Sequence, residues 1–389
     1  MTLTAPLPPT PAISARGMAR PWAVFAGGGT GGHLYPGLAV ARELARRGHE
    51  PATLHFLSAR QGIEGRTAAL EGFPATLLPG RGLRRKFSAQ DLAANSRALL
   101  GEMAATGMAL RLFARWRPAV VIALGGYASL PGILAAMAWR VPVVVLNVDA
   151  VPGAVNRWAS RIAVATALGA PGADLPRAVL TGVPVRAAMA AIDRRPGARA
   201  AARQRFGLSQ DATVVAVSGG SLGSRRINQA TAELAHIWSA KPGAAIYHVV
   251  GHRDWEAFGG PRTDAGALVY RRVAYEEDMA SLYSAADVAV QRAGASTVAE
   301  LALAGVPSVL VPLPGAPGDH QGANARAMAA AGGAVVVPDA ELDGARLSSE
   351  LEALLAEPAR LAQMGEGARA LARPHATAAV ADLVEHNAR

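Results

Sequence analysis

Apolar and polar positions along this chain switch between two periods from one end to the other. Short apolar runs of strand length fall near residues 22–26, 51–57, 74–79, 119–123, 141–146 and 161–166. Between them lie longer stretches in which apolar residues recur every three or four positions, as from Pro36 to Arg47. A second series opens at Thr213–Ser218 and continues near 244–250, 268–273, 287–291, 307–312 and 333–337. Apolar strands alternating with amphipathic helices predict parallel sheets covered on both faces. Two such series predict an α/β protein of two Rossmann-like domains, with a cleft between their carboxyl-end loops.

The boundaries follow from breaks in this pattern. Residues 1–20, with a Pro-rich cluster and no apolar core of a signal peptide, read as a loose tail. The first domain is expected over 21–185 and the second over 186–375, with the hinge near 183–190. The final helix, within 376–389, is a candidate to pack back onto the first domain.

Three strand-to-helix turns carry the polar chemistry. In the first, Gly27 to Gly32, five of six residues are glycine. Bare N–H groups at a helix N-terminus make an anion site suited to a diphosphate. Pro36 is read as sitting in the first turn of the following helix, where a missing N–H costs nothing. The alternative is a tight structural turn. Gly27, Gly29 and Gly32 also satisfy G-x-G-x-x-G, but a dinucleotide site needs an acidic residue at the end of the second strand. Here that strand runs into Ser58-Ala59-Arg60, so NAD is disfavoured. The second turn, Ser218-Gly-Gly-Ser-Leu-Gly223, adds the hydroxyl of Ser221. The third, Arg292-Ala-Gly-Ala-Ser-Thr-Val-Ala-Glu300, opens a helix with Ser296 and Thr297 in its first turn. Glu300, one turn further, could accept two hydrogen bonds from a ribose; its other reading is one step of a capping box with Thr297.

Composition narrows the classes. The chain has 389 residues, no cysteine and a net charge of +10. Disulfides and thiol catalysis are excluded, and a cytoplasmic setting fits. No apolar run reaches membrane-spanning length. Lys86 and Lys241 are the only lysines, so the positive charge is an arginine bias spread over the chain. It favours anionic partners, but no nucleic-acid motif with stacking aromatics accompanies it. Locally, residues 60–117 hold ten Arg or Lys against four Asp or Glu. Helical spacing from Met108 to Trp116 sets Ala109, Leu112, Phe113 and Trp116 on one face and Arg111 and Arg115 on another. With Leu83, Arg84, Arg85, Lys86 and Phe87 this predicts a patch for an anionic membrane surface; the alternative is a core-facing helix with solvated arginines.

Together, Gly-Gly-Thr-Gly-Gly-His33 with Pro36-Gly37, Gly125-Gly-Tyr-Ala-Ser129 with Pro131-Gly132, Gly182-Val-Pro-Val-Arg186, Gly219-Gly-Ser221, the 292–300 turn and Asp319-His-Gln-Gly-Ala-Asn324 resemble the MurG family of peptidoglycan N-acetylglucosaminyltransferases. The resemblance runs from about Trp22 to the C-terminus. It implies the GT-B fold and inverting transfer of GlcNAc from UDP-GlcNAc to the C4 hydroxyl of MurNAc in undecaprenyl-diphosphate-MurNAc-pentapeptide (lipid I), giving lipid II. It also implies work as a peripheral protein at the cytoplasmic face of the cell membrane, with other cell-wall synthesis proteins as candidate partners. Thr30, Gly31, Gly32, Arg186, Ser221, Ala295, Ser296, Thr297, Glu300 and Gln321 match the family's donor-contacting positions. By the same resemblance the first glycine turn lies beside the acceptor diphosphate, and the second domain holds UDP.

The chemistry is consistent with those assignments. Helix N-termini and Arg186 can take up the charge of a departing UDP without a metal, and neither metal nor cofactor is expected. His33, at the mouth of the first helix, is the candidate base; the alternative is a histidine that only closes the loop. Three positions depart from the family pattern. Where many members read His-Glu-Gln-Asn-Gly, this chain has Leu146-Asn-Val-Asp-Ala150, so an amide, Asn147, replaces a glutamate, and Asp149, at the position of the family's asparagine and kept as a candidate substrate-binding residue, puts an anion beside a diphosphate cleft. Leu222 stands where glutamine is usual. Other GT-B nucleotide-sugar enzymes and a non-catalytic nucleotide-sugar-binding protein are the competing readings.

Overall fold

The computed structural model describes residues 20–28, 31–60, 71–79, 89–220, 223–258, 260 and 267–389. Its first sheet is built from β1 (Ala23–Gly27), β2 (Leu54–Ala59), β3 (Ala75–Leu78), β4 (Val120–Gly125), β5 (Val143–Asn147), β6 (Ala165–Leu168) and β7 (Ala178–Leu180). Its spatial order is 3-2-1-4-5-6-7, and every pairing is parallel. The second sheet contains β8 (Thr213–Ser218), β9 (Ala244–Val249), β10 (Val269–Val273), β11 (Val288–Gln291), β12 (Ser308–Leu310) and β13 (Ala334–Val336). Its order is 10-9-8-11-12-13, again all parallel. These are the two Rossmann-like domains that the alternating pattern called for, in the GT-B arrangement that the resemblance implied.

Strand alternation sorts the side chains into two layers. In β1, Ala23 and Phe25 pack with α1 (Gly31–Arg46), whereas Val24 and Ala26 face α2 (Ala89–Trp116), α3 (Leu130–Ala138) and α4 (Ala154–Ala159). Both faces are apolar because helices cover both, as parallel sheets require. The second sheet is covered by α5 (Ala187–Ala190), α6 (Pro196–Arg205), α7 (Arg225–Ile237), α8 (Met279–Ala285), α9 (Ala295–Ala304), α10 (His320–Ala330), α11 (Gly344–Leu355) and α12 (Pro358–Ala370). The last helix, α13 (Ala376–Asn387), lies on the first sheet. Val380, Ala381 and Val384 are fully buried there, and Arg47, just after α1, pairs with both Asp382 and Glu385 at 2.6 Å.

Two expectations need correction. The first helix starts at Gly31, so Pro36 falls in its second turn rather than its first. The apolar face of α2 belongs to the core: Ala109, Phe113 and Trp116 pack against the first sheet, which leaves Arg111 and Arg115 solvated. A membrane patch cannot be built from those three. Leu83 to Phe87 lie outside the described residues. What α2 and its neighbour α3 do expose is Leu100, Met103, Leu134 and Met137. Among the described residues no helix is long and apolar enough to cross a membrane.

Candidate active site

Strand order reverses between β1 and β4 in one sheet and between β8 and β11 in the other. The crevice beyond the carboxyl ends of such strands is where ligands of doubly wound sheets bind. Both crevices are lined by the glycine turns.

Part of the glycine content is structural. Gly27 sits at φ 137°, and a Cβ there would lie 2.9 Å from Gly125 O; one on Gly126 would lie 2.8 Å from Gly28 O. β1 and β4 can converge only because these positions are bare. Thr30 lies outside the described residues. Gly31 and Gly32 are the first residues of α1, and the Gly32 carbonyl lacks its usual acceptor role because Pro36, four residues on, has no N–H.

His33 is half-buried in the first turn of α1, beside the end of β4. A Cβ on Gly125 would stand 3.5 Å from His33 Cε1 and 3.2 Å from Asn156 Oδ1. Asn156 Nδ2 donates to Asn147 Oδ1 at 3.1 Å, and Asn147 Nδ2 donates to the Asp149 carbonyl at 2.8 Å. Asn147 is thus a buried amide committed to holding its own loop.

Asp149 faces the other domain. Its Oδ1 accepts from Asn324 Nδ2 at 3.2 Å, while Asn324 Oδ1 accepts from Ala150 N at 3.1 Å. The same Asn324 amide donates to the Ala293 carbonyl, just beyond β11, at 3.1 Å. One side chain therefore ties the loop after β5 to the third glycine-bearing turn. Gln321, earlier on α10, accepts from Leu313 N at 3.0 Å.

On the far side, α9 begins at Ala295 with Gly294 as a cap that offers no side-chain bond. Thr297 is inside the helix, so a capping box with Glu300 does not form. Glu300 is half-buried, and desolvation pushes its carboxyl up to about 7, with the Arg186 guanidinium pulling in the opposite direction. Arg186 Nη1 donates to the Glu277 carbonyl at 3.1 Å. Ser296 Oγ is buried without a hydrogen-bond partner among the described residues. Ala295 packs into the apolar cluster that holds Leu34, Leu38 and Leu124 of the first domain, so the mouths of α1 and α9 adjoin. Ser221 and Leu222 lie outside the described residues.

Several residues in this region had no assigned role from sequence. Asn324 and Asn156 act through tertiary bonds that spacing does not reveal. Arg292 donates to Ser224 Oγ at 2.6 Å and to Val311 O at 3.1 Å, and pairs with Asp339 at 2.6 Å. It thereby fixes three carboxyl-end loops of the second sheet. The Tyr275 hydroxyl, pushed up to about 12 by burial and by its bond to Tyr35 of α1, is a further contact between domains.

Comparison with known proteins is consistent across sequence and structure. The model of the glycosyltransferase family 28 N-terminal domain matches residues 23–168, and that of the family 28 C-terminal domain matches residues 214–385. A UDP-N-acetylglucosamine--N-acetylmuramyl-(pentapeptide) pyrophosphoryl-undecaprenol N-acetylglucosamine transferase of Desulforudis audaxviator is 37% identical over 374 residues, covering 93% of this chain and 97% of its own. A protein of the same description from Halorhodospira halophila is 40% identical over 363 residues, covering 93% and 97%. The crystal structure of an Acinetobacter baumannii MurG superposes with a TM-score of 0.72 at 29% identity, over 94% of this chain and 99% of that one.

Proposed function

Since the chain belongs to glycosyltransferase family 28, in its MurG branch, we infer that it transfers GlcNAc from UDP-GlcNAc to undecaprenyl-diphosphate-linked MurNAc-pentapeptide in peptidoglycan synthesis. Our reading of the site assigns inversion at the sugar carbon and attack by the MurNAc C4 hydroxyl.

The observation that carries this assignment is the meeting of two helix mouths. Breaking the sugar–phosphate bond builds negative charge on UDP and positive character on the sugar. The N–H groups at Ala295, Ser296 and Thr297, the Ser221 hydroxyl and Arg186 stabilise the leaving diphosphate, and fixed donors of this kind need no reorganisation as the bond breaks. Glu300 accepts the ribose hydroxyls, and Gln321 reads the donor from the start of α10. Thr30, Gly31 and Gly32 contact the donor from the first domain, in the turn assigned to lie beside the acceptor diphosphate. His33 takes the proton from the attacking hydroxyl; the positive end of α1 favours a neutral ring, able to accept one. Because these groups neutralise the leaving group, transfer is expected to continue in EDTA.

The decisive test is radiolabelled UDP-GlcNAc with a short-chain lipid I analogue. Wild type should transfer label, and His33→Ala should lose about 100-fold or more in kcat, the usual scale for a positioned base. The amide at Asn147 favours a second reading, nucleotide-sugar binding without turnover; UDP-GlcNAc binding with no transfer by wild type would establish it.

Membrane association would be peripheral, at the cytoplasmic face. The apolar side chains exposed on α2 and α3 support it, α2 being the helix that follows the arginine-rich stretch in the sequence. Met103→Glu with Met137→Glu should reduce co-sedimentation with anionic liposomes while leaving turnover of a water-soluble acceptor intact. Unchanged sedimentation would remove this face from consideration.

A further inference from the structure

At the amino-terminal ends of β1, β4 and β5, on the opposite edge of the first sheet from the glycine turns, lies a cavity of about 420 Å³. Trp22, Trp116 and Trp139 form its walls, with Pro118 and Pro142 between them. Its rim carries Arg20, Arg117, Arg140 and Arg389, all exposed, and among the described residues no Asp or Glu lines it. Among the described residues none of these four guanidiniums has a carboxylate partner, although most ion pairs elsewhere in the chain engage arginine. Arg117 lies over the Trp139 ring at 4.5 Å, and Arg389 Nη1 donates to the Arg140 carbonyl at 2.9 Å.

The backbone gives the second observation. Arg117 follows the end of α2 at φ 47°, and Arg140 follows the end of α3 at φ 53°. This left-handed position after a helix is where glycine is the default, because a Cβ there is strained. Among the described residues only Arg117, Arg140, Arg177 and Asp319 are non-glycine at positive φ, and two of those four line this one cavity. Two helices thus end on a strained residue whose guanidinium reaches the same mouth. Basic side chains do complement helix C-termini, but that does not require the residue to occupy the strained position itself.

We propose that this cavity is the docking site for an acidic peptide segment of a partner protein. Guanidiniums that engage no Asp or Glu of the described residues select carboxylates, which arginine binds in a two-pronged manner. Indole faces beside them take an apolar or proline residue of the same segment. Small-molecule sites enclose most of their ligand, whereas these charged heads stay in solvent, and tryptophan with arginine is the pairing enriched at protein interface hot spots. A partner held here leaves the catalytic cleft open.

The test uses the full chain and a fluorescein-labelled octapeptide rich in Glu with one Trp, alongside its counterpart with Lys in place of Glu. Wild type should bind the acidic peptide saturably and the basic one not at all. Arg117→Gly with Arg140→Gly should weaken binding at least tenfold, leave the melting temperature unchanged or raised because glycine relieves the strain, and leave transfer to a soluble acceptor unaltered. Equal binding by the double variant would overturn the proposal, as would a clear fall in its melting temperature, which would assign both arginines to the fold. Absence of peptide binding would overturn it too. If phosphatidylglycerol vesicles or inorganic phosphate instead bound in an Arg117- and Arg140-dependent way, the site would belong to a lipid surface or a free anion.

Discussion

Glu300 shows how one side chain can be set by its surroundings rather than by its type. Its carboxyl is raised from an ordinary 4.5 to about 7 because burial disfavours the charged form, despite the attraction of Arg186. The folded protein therefore keeps a proton here that the unfolded chain has released between those values. This group favours folding fully below pH 4.5, and that contribution is lost as pH rises to about 7. In the proposed site the Glu300 carboxylate is the acceptor for the ribose hydroxyls, so UDP should bind more tightly as pH rises from 6 to 8. Glu300→Gln should flatten that dependence and weaken binding by about 10- to 100-fold, the value of hydrogen bonds to a charged group. Calorimetric titration of UDP at both pH values decides it: a pH-independent wild-type affinity would separate Glu300 from the ribose. Glu300 could be singled out as a candidate from the sequence because it stands one turn into a glycine-led helix. Asn324 and Arg292 were not, because their importance lies in partners more than 30 or 60 residues away, Ala293 and Ser224 among them.

Strands were the most legible elements. The interior strands of both sheets fall on apolar runs, since a strand covered on both faces is largely apolar, and the half-buried edge strands β3 and β10 keep enough of that pattern to be found. The exception was β7, three exposed residues at the sheet edge with no buried face to leave a pattern. The start of α1 was misplaced for a different reason. Glycines weigh against helix and proline marks a first turn, yet the chain is helical from Gly31 because the packing of Leu34 and Leu38 against the first sheet outweighs local propensity. Glycine content itself mixes two roles, which substitution separates. Gly27→Ala must force a Cβ against Gly125 O at an unfavourable φ, so a loss of about 2–3 kcal/mol is expected. Gly107, inside α2 with open space around it, should behave oppositely: alanine there should stabilise by about 0.5–1 kcal/mol through helix propensity. Urea unfolding of both variants measures the contrast, and a neutral Gly27→Ala would mean that β1 and β4 can separate without cost.

At the scale of the whole molecule, closure depends on a small set of bonds between two domains that each have their own core. Asn324 makes two of them, reaching Asp149 and Ala150 across the gap, while its amide also donates to Ala293 in its own domain. Asp149 is then both a clasp and a negative charge placed near a cleft that must hold a diphosphate, and the two roles can be pulled apart. Asn324→Ala removes every bond of the clasp, so the radius of gyration in solution scattering should increase. Transfer efficiency should fall about tenfold, the equivalent of roughly 1.4 kcal/mol. Asp149→Asn keeps an oxygen acceptor for the Asn324 amide, so the radius of gyration should stay at the wild-type value. With the anion gone, electrostatic repulsion of the incoming diphosphate is relieved, and the acceptor KM should drop most at low salt, where exposed charges act furthest. If Asp149→Asn instead expanded the molecule as Asn324→Ala does, the charge itself would be what holds the domains together, and the carboxylate would have to be counted with the clasp rather than against the substrate.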